Sequence, residues 1–81
     1  MVVLITNAEP KMVERFLDSG MARKHLAWIG ISQGESTICL EDSKYRLESD
    51  ISSNGREFIR IYSDGDRFTV YNGEYDTIIM E

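Results

Sequence analysis

The sequence predicts an α+β fold: an N-terminal strand and one amphipathic helix packed on one face of an antiparallel β-meander of about five to six strands. Three observations lead there. An apolar, β-branched run opens the chain at Val2–Thr6, a stretch of helical periodicity follows at residues 9–19, and six short strand-like segments then alternate with turn residues. Loops of two or three residues return a strand antiparallel to its neighbour, which makes the later segments a meander.

Val2-Val3-Leu4-Ile5-Thr6 is apolar on both sides of the strand alternation and suits a strand buried on both faces. Asn7 offers a side-chain oxygen to cap the following helix, and Pro10 falls in the first turn, where its missing N–H leaves nothing unpaired. Met12, Val13, Phe16 and Leu17 form the apolar stripe, Lys11, Glu14, Arg15 and Asp18 lie opposite, and Gly20 supplies a stop. From Met21 to Trp28 a short second helix capped by Ser19 competes with an early strand. The expectation is a helical turn that gives way to a strand near Trp28. The strand segments are 28–32, 36–41, 44–51, 57–63, 67–71 and 75–80. Between them stand the turn segments Gln33-Gly34, Glu41-Asp42-Ser43, Ser53-Asn54-Gly55, Asp64-Gly65 and Asn72-Gly73, of which Asn-Gly and Asp-Gly supply the positive φ of tight hairpins.

Burial selects the register. A two-residue Asp64-Gly65 turn sets Ile61 opposite Phe68 and Ile59 opposite Val70. A two-residue Asn54-Gly55 turn would place Ile61 against Glu48, whereas a three-residue loop, Ser53 to Gly55, places it against Leu47. A slip of one residue turns a whole strand over, so the three-residue loop is expected. The apolar face is then Tyr45, Leu47, Ile59, Ile61, Phe68 and Val70, covered by the helix. The opposite face carries Lys44, Arg46, Glu48, Arg60, Tyr62, Arg67, Thr69 and Tyr71.

Eighty-one residues support a single domain, 1–81, because two cores of about forty residues would each need a metal, disulfides or a partner. One cysteine forms no internal disulfide, which favours the cytosol. The longest apolar run, Met1–Ile5, is far short of the roughly 20 residues of a membrane helix and lacks the basic flank of a signal peptide. A complete cytosolic gene product without membrane association is expected. The net charge of −5 is uneven: residues 1–30 carry +1 and residues 31–81 carry −6. An acidic sheet half argues against direct binding of nucleic acid.

Few residues suit catalysis. His25 and Cys39 are the only His and Cys, and their spacing suggests no nucleophile–base pair. They supply too few ligands for zinc, and the loops holding Asp64, Asp66, Glu74 and Asp76 are too short to wrap calcium. No glycine-rich segment opens a helix to cradle phosphate. The expectation is a protein that is not an enzyme and uses neither metal nor cofactor.

Surface recognition remains. Arg60, Tyr62, Arg67 and Tyr71 share the sheet face turned from the helix, and both residue types are enriched at interface hot spots. Glu35, Glu41, Asp42, Asp64, Asp66, Glu74 and Asp76 are expected as an acidic set at strand ends. The favoured expectation is a small acidic protein that occludes a surface on a larger protein partner. In one version, carboxylates occupy the basic groove of a nucleic-acid-binding protein. Phage and mobile-element inhibitors of host nucleases, anti-CRISPR and anti-restriction proteins among them, are similar in size and charge, and the similarity extends to those two properties. One alternative is a self-associating module, a homodimer formed through the Tyr/Arg face or an unpaired edge strand. Another is a small enzyme or ligand-binding domain with a pocket near Trp28, His25 and Cys39.

Overall fold

A computed structural model describes residues 1–41 and 44–81. The described chain is α+β with strands dominating: β1 (Val2–Ala8), α1 (Pro10–Leu17), α2 (Gly20–His25), β2 (Leu26–Ser32), β3 (Glu35–Glu41), β4 (Arg46–Ile51), β5 (Glu57–Ser63), β6 (Asp66–Tyr71) and β7 (Thr77–Met80). The strands divide into two antiparallel sheets, ordered β2-β3-β1-β7 and β4-β5-β6. The division has a simple cause. β3 pairs with β2 on one edge and with β1 on the other, so no edge remains for β4, which begins a second sheet.

The register within the three-stranded sheet follows the burial argument. Ile61 faces Leu47 and Phe68, Ile59 faces Ser49 and Val70, and Tyr62 faces Arg67. The three-residue loop is present, with Gly55 at φ 85° and its N–H donating to the Ser52 carbonyl. Asp64 and Gly65 both take positive φ, as a two-residue hairpin requires. Asn72-Gly73, by contrast, joins no hairpin. Its turn closes through Glu74 N–H to the Tyr71 carbonyl, and the chain then crosses to the other sheet, where β7 pairs with β1.

Four expectations about local structure are corrected. Asn7 does not cap α1: it sits at φ 51° in a bulge of β1, and its side-chain amide donates to Asp76. Gly20 does not stop α1 but begins α2, a full six-residue helix whose cap Ser19 accepts from the Ala22 N–H. Leu17 is exposed, because it lies roughly 120° round the helix from the centre of the Met12–Phe16 stripe. β1 is buried on one face only: Val3 and Ile5 are fully buried, while Leu4 is half-buried on the other side.

One core joins both sheets. Val3, Ile5, Ile38 and Leu40 of the larger sheet meet Ile61, Phe68 and Val70 of the smaller one, with Met12, Phe16 and Met21 of the helices among them. The Phe16 ring stands edge-on to Phe68 at 5.1 Å. The inner face of the smaller sheet thus turns to the core shared with the larger sheet, where α1 reaches it through Phe16 against Phe68 and α2 packs beside β6.

Candidate functional site

Each sheet keeps one face outside this core. On the smaller sheet, alternation puts Arg46, Glu48 and Asp50 of β4, Phe58, Arg60 and Tyr62 of β5, and Arg67, Thr69 and Tyr71 of β6 on the outer face. Three cations lie against rings there. Arg46 stands 4.3 Å from the Tyr62 centroid, Arg60 4.9 Å from Phe58, and Arg56 4.9 Å from Tyr71. Arg60 and the tilted Tyr71 ring, 5.8 Å away, keep Phe58 buried although it points outward. Arg46 also bridges to Glu48 at 2.7 Å. The Tyr62 hydroxyl is the main cause holding the Glu48 carboxyl below the ordinary glutamate pKa, aided by Arg46 and Arg60 against an opposing desolvation.

Arg60, Tyr62 and Arg67 are therefore brought together, and Tyr71 joins them at the far end beside Phe58. Beyond Tyr62, a shallow groove of about 370 Å³ is lined by Lys44, Arg46, Arg67 and the Asp64–Asp66 turn. All five basic residues of the acidic half, Lys44, Arg46, Arg56, Arg60 and Arg67, belong to this one face. Sequence alternation gave Arg60 and Arg67, but not the stacking that orders Arg46 and Arg56.

The acidic set does not gather. Asp64 and Asp66 stand at the β5–β6 turn beside α2, with Lys24 Nζ 2.9 Å from Asp66 Oδ2 and His25 Nε2 3.9 Å from Asp64 Oδ2. Glu41 is at the same end, where its carbonyl accepts from the Tyr45 hydroxyl. Glu35, Glu74 and Asp76 lie at the opposite end of β1, near Asn7 and Glu9. Asp42 lies outside the described residues.

Glu74 is not a surface carboxylate. It is 5% exposed, takes two hydrogen bonds from Arg15 at 2.6 and 3.0 Å, and accepts from the Tyr71 N–H at 2.8 Å. Burial opposes its charge, but the hydrogen bonds from Arg15 and Tyr71 and the Arg15 charge outweigh it, so its pKa falls below the ordinary value. The Glu74 hydrogen bond in turn raises the Arg15 pKa against partial burial. This pair fastens α1 to the chain crossing between sheets.

His25 and Cys39 do not share a pocket. His25 is buried against Tyr45, with ring centroids 5.9 Å apart, whereas Cys39 points to the outer face of the larger sheet opposite Trp28. Burial, with a smaller push from Glu41, raises the Cys39 thiol pKa, which disfavours the nucleophilic thiolate. Among the described residues, no three His, Cys, Asp or Glu side chains are grouped to hold one metal ion. Nor is any described helix long and apolar enough to cross a membrane. A groove missed in the sequence, about 460 Å³, opens at the end of β4 and β5 between Ile51, Ile59, Glu57 and Tyr75. Burial first, and Glu57 second, push the Tyr75 phenol above its ordinary pKa. Its residues come from three separate segments, which periodicity alone does not bring together.

Comparison with known proteins gives no relative: no family model, curated protein or solved structure matches the chain.

Proposed function

We propose that this protein acts by binding, covering a surface on a larger protein partner, with Arg60, Tyr62 and Arg67 at the centre of the contact. One observation carries the reading. In a chain of net charge −5, the five basic residues of residues 31–81 share one sheet face, with Glu48 and Asp50 among them and the Asp64–Asp66 turn bordering one end. Among the described residues no carboxylate pairs with Lys44, Arg60 or Arg67 in an ion pair. Stacking on Phe58, Tyr62 and Tyr71 has already ordered three of the guanidinium groups, which lowers the entropy lost on binding. A partner presenting carboxylates to this face would gain forked hydrogen bonds from arginine.

Inhibition of a nucleic-acid-binding protein through its basic groove is the version in which the carboxylates act instead. Asp64, Asp66 and Glu41 at one end would then make the contact, since Glu35 and Asp76 stand at the other. Affinity capture from the source cells with paired charge reversals separates the two. Arg60→Glu with Arg67→Glu should abolish capture of a partner that Asp64→Lys with Asp66→Lys retains. The opposite pattern assigns the contact to the acidic end, and capture unaffected by either pair overturns both versions. Thermal melting of each variant checks that the fold is kept.

A further inference from the structure

The outer face of the four-stranded sheet is a different kind of surface. Trp28 pairs with Cys39, Cys39 with Leu4, and Leu4 with Ile79, so these four side chains form one apolar row across β2, β3, β1 and β7. Trp28 is 49% exposed and Ile79 38%. The next positions on the same face are Gly30, Thr37, Thr6 and Thr77, all uncharged. A Cβ at Gly30 would stand 3.3 Å from Trp28 Cζ3, so the indole lies along its strand over bare glycine backbone. Beside it, a groove of about 300 Å³ opens between Trp28, Thr37 and Glu35.

The charged side chains borne by these strands have one sign. None of the four strands contains a lysine or an arginine. The charged side chains that alternation puts on this face within β3 are Glu35 and Glu41, one at each end and both exposed. Glu81 follows β7 and pairs its backbone with Val2. An uncharged floor with an acidic margin fits an apolar ridge flanked by basic residues. A second copy is a poor match, because face-to-face pairing would oppose two acidic margins.

We propose that this face is a second docking surface, taking a protein segment that presents apolar side chains flanked by lysine or arginine. It lies on a different sheet from the Arg60–Tyr62–Arg67 contact and does not depend on it.

Trp28 is the only tryptophan, so its emission reports this face alone. The probes are two helical peptides with the same leucine spacing, one carrying lysines at its flanks and the other glutamates. The lysine peptide should shift Trp28 emission to the blue in a saturable manner that weakens as salt is raised, and the glutamate peptide should not. Ile79→Thr should weaken the lysine peptide about tenfold, and Glu35→Lys with Glu41→Lys at least as much. Arg60→Glu with Arg67→Glu should leave it unchanged, which keeps this test separate from the first contact. The proposal is overturned by an absent shift, by equal shifts from both peptides, or by binding that ignores the Ile79 and Glu35/Glu41 variants. A chain that elutes alone as a dimer, with Trp28 emission already blue-shifted, would make the second copy the occupant and overturn it too.

Discussion

Arg15 and Glu74 show how unequal two partners of one ion pair can be. The Arg15 side chain is 42% exposed and that of Glu74 only 7%, so water can solvate the cation but not the carboxylate. Arg15→Met strands a buried charge and should cost about 3 kcal/mol. Glu74→Gln keeps a neutral acceptor in place and leaves an arginine that can reach solvent, so about 1 kcal/mol is expected. Chemical denaturation of the two variants measures the difference, and equal losses would show that burial of Glu74 does not govern the pair. The same carboxylate predicts acid sensitivity. Its folded pKa lies below the ordinary 4.5, so the unfolded chain binds its proton more readily. The stabilisation is complete above about pH 4.5 and is lost as the pH falls through the lower folded value. Glu74→Gln should flatten that acid limb, with Glu48, shifted in the same direction, supplying part of what remains.

At the scale of elements, turn chemistry and alternation carried most of what the sequence made legible. Leu47, Ile61 and Phe68 pointed to the register of three strands, because the two-residue Asn54-Gly55 turn would have set Ile61 against Glu48. Residues 1–20 were read less well, and for a physical reason. Asn7 and Gly20 are ambiguous signals, since both serve helix ends, bulges and turns alike, and only pairing with distant strands decides between them. The bulge at Asn7 depends on Ser36 and Asp76, far along the chain. After Asn72-Gly73 the chain crosses to pair β7 with β1, with Glu74 held by Arg15 at the crossing, so an Asn-Gly signal for a hairpin was overruled by pairing with a distant strand. The candidate site was legible where it followed alternation, as with Arg60, Tyr62 and Arg67, and obscure where it required a sheet boundary. Leu4 and Ile79 are partners only because β1 and β7 are adjacent. The β5–β6 hairpin gives a direct test of turn chemistry. Gly65 has φ 82°, where a Cβ costs about 1–2 kcal/mol. Gly65→Ala should therefore lower the melting temperature by roughly 4–8 °C for each kcal/mol lost. An unchanged midpoint would mean that the turn relaxes without strain.

Across the whole molecule, two sheets whose described strands form separate ladders behave as one body only if the core between them couples their unfolding. Phe16 is the natural coupling residue: it is fully buried, stands against Phe68 of the smaller sheet, and shares its cluster with Val3, Ile5 and Ile38 of the larger. The Arg15–Glu74 pair adds a polar link from the same helix to the crossing between sheets. Neither sheet alone can close a core, since each has a single apolar inner face and about half the chain. Unfolding should accordingly be one transition. Trp28 fluorescence reports the larger sheet, while backbone amides of β5, followed by NMR, report the smaller, and both should lose structure at one temperature. Phe16→Ala removes a buried ring and should cost about 3–5 kcal/mol, a large share of the roughly 4–12 kcal/mol expected at this length. Its effect should fall equally on the two signals, because the cavity it leaves borders both sheets. Two separate midpoints in the parent chain, or a Phe16 variant that lowers one signal and spares the other, would show two units held together by proximity alone. The two outward faces would then be free to bind independently. With a shared core, a ligand on either face stabilises the whole fold by mass action, and the lysine-flanked peptide at the Trp28 face should raise the melting temperature of the β5 amides as well.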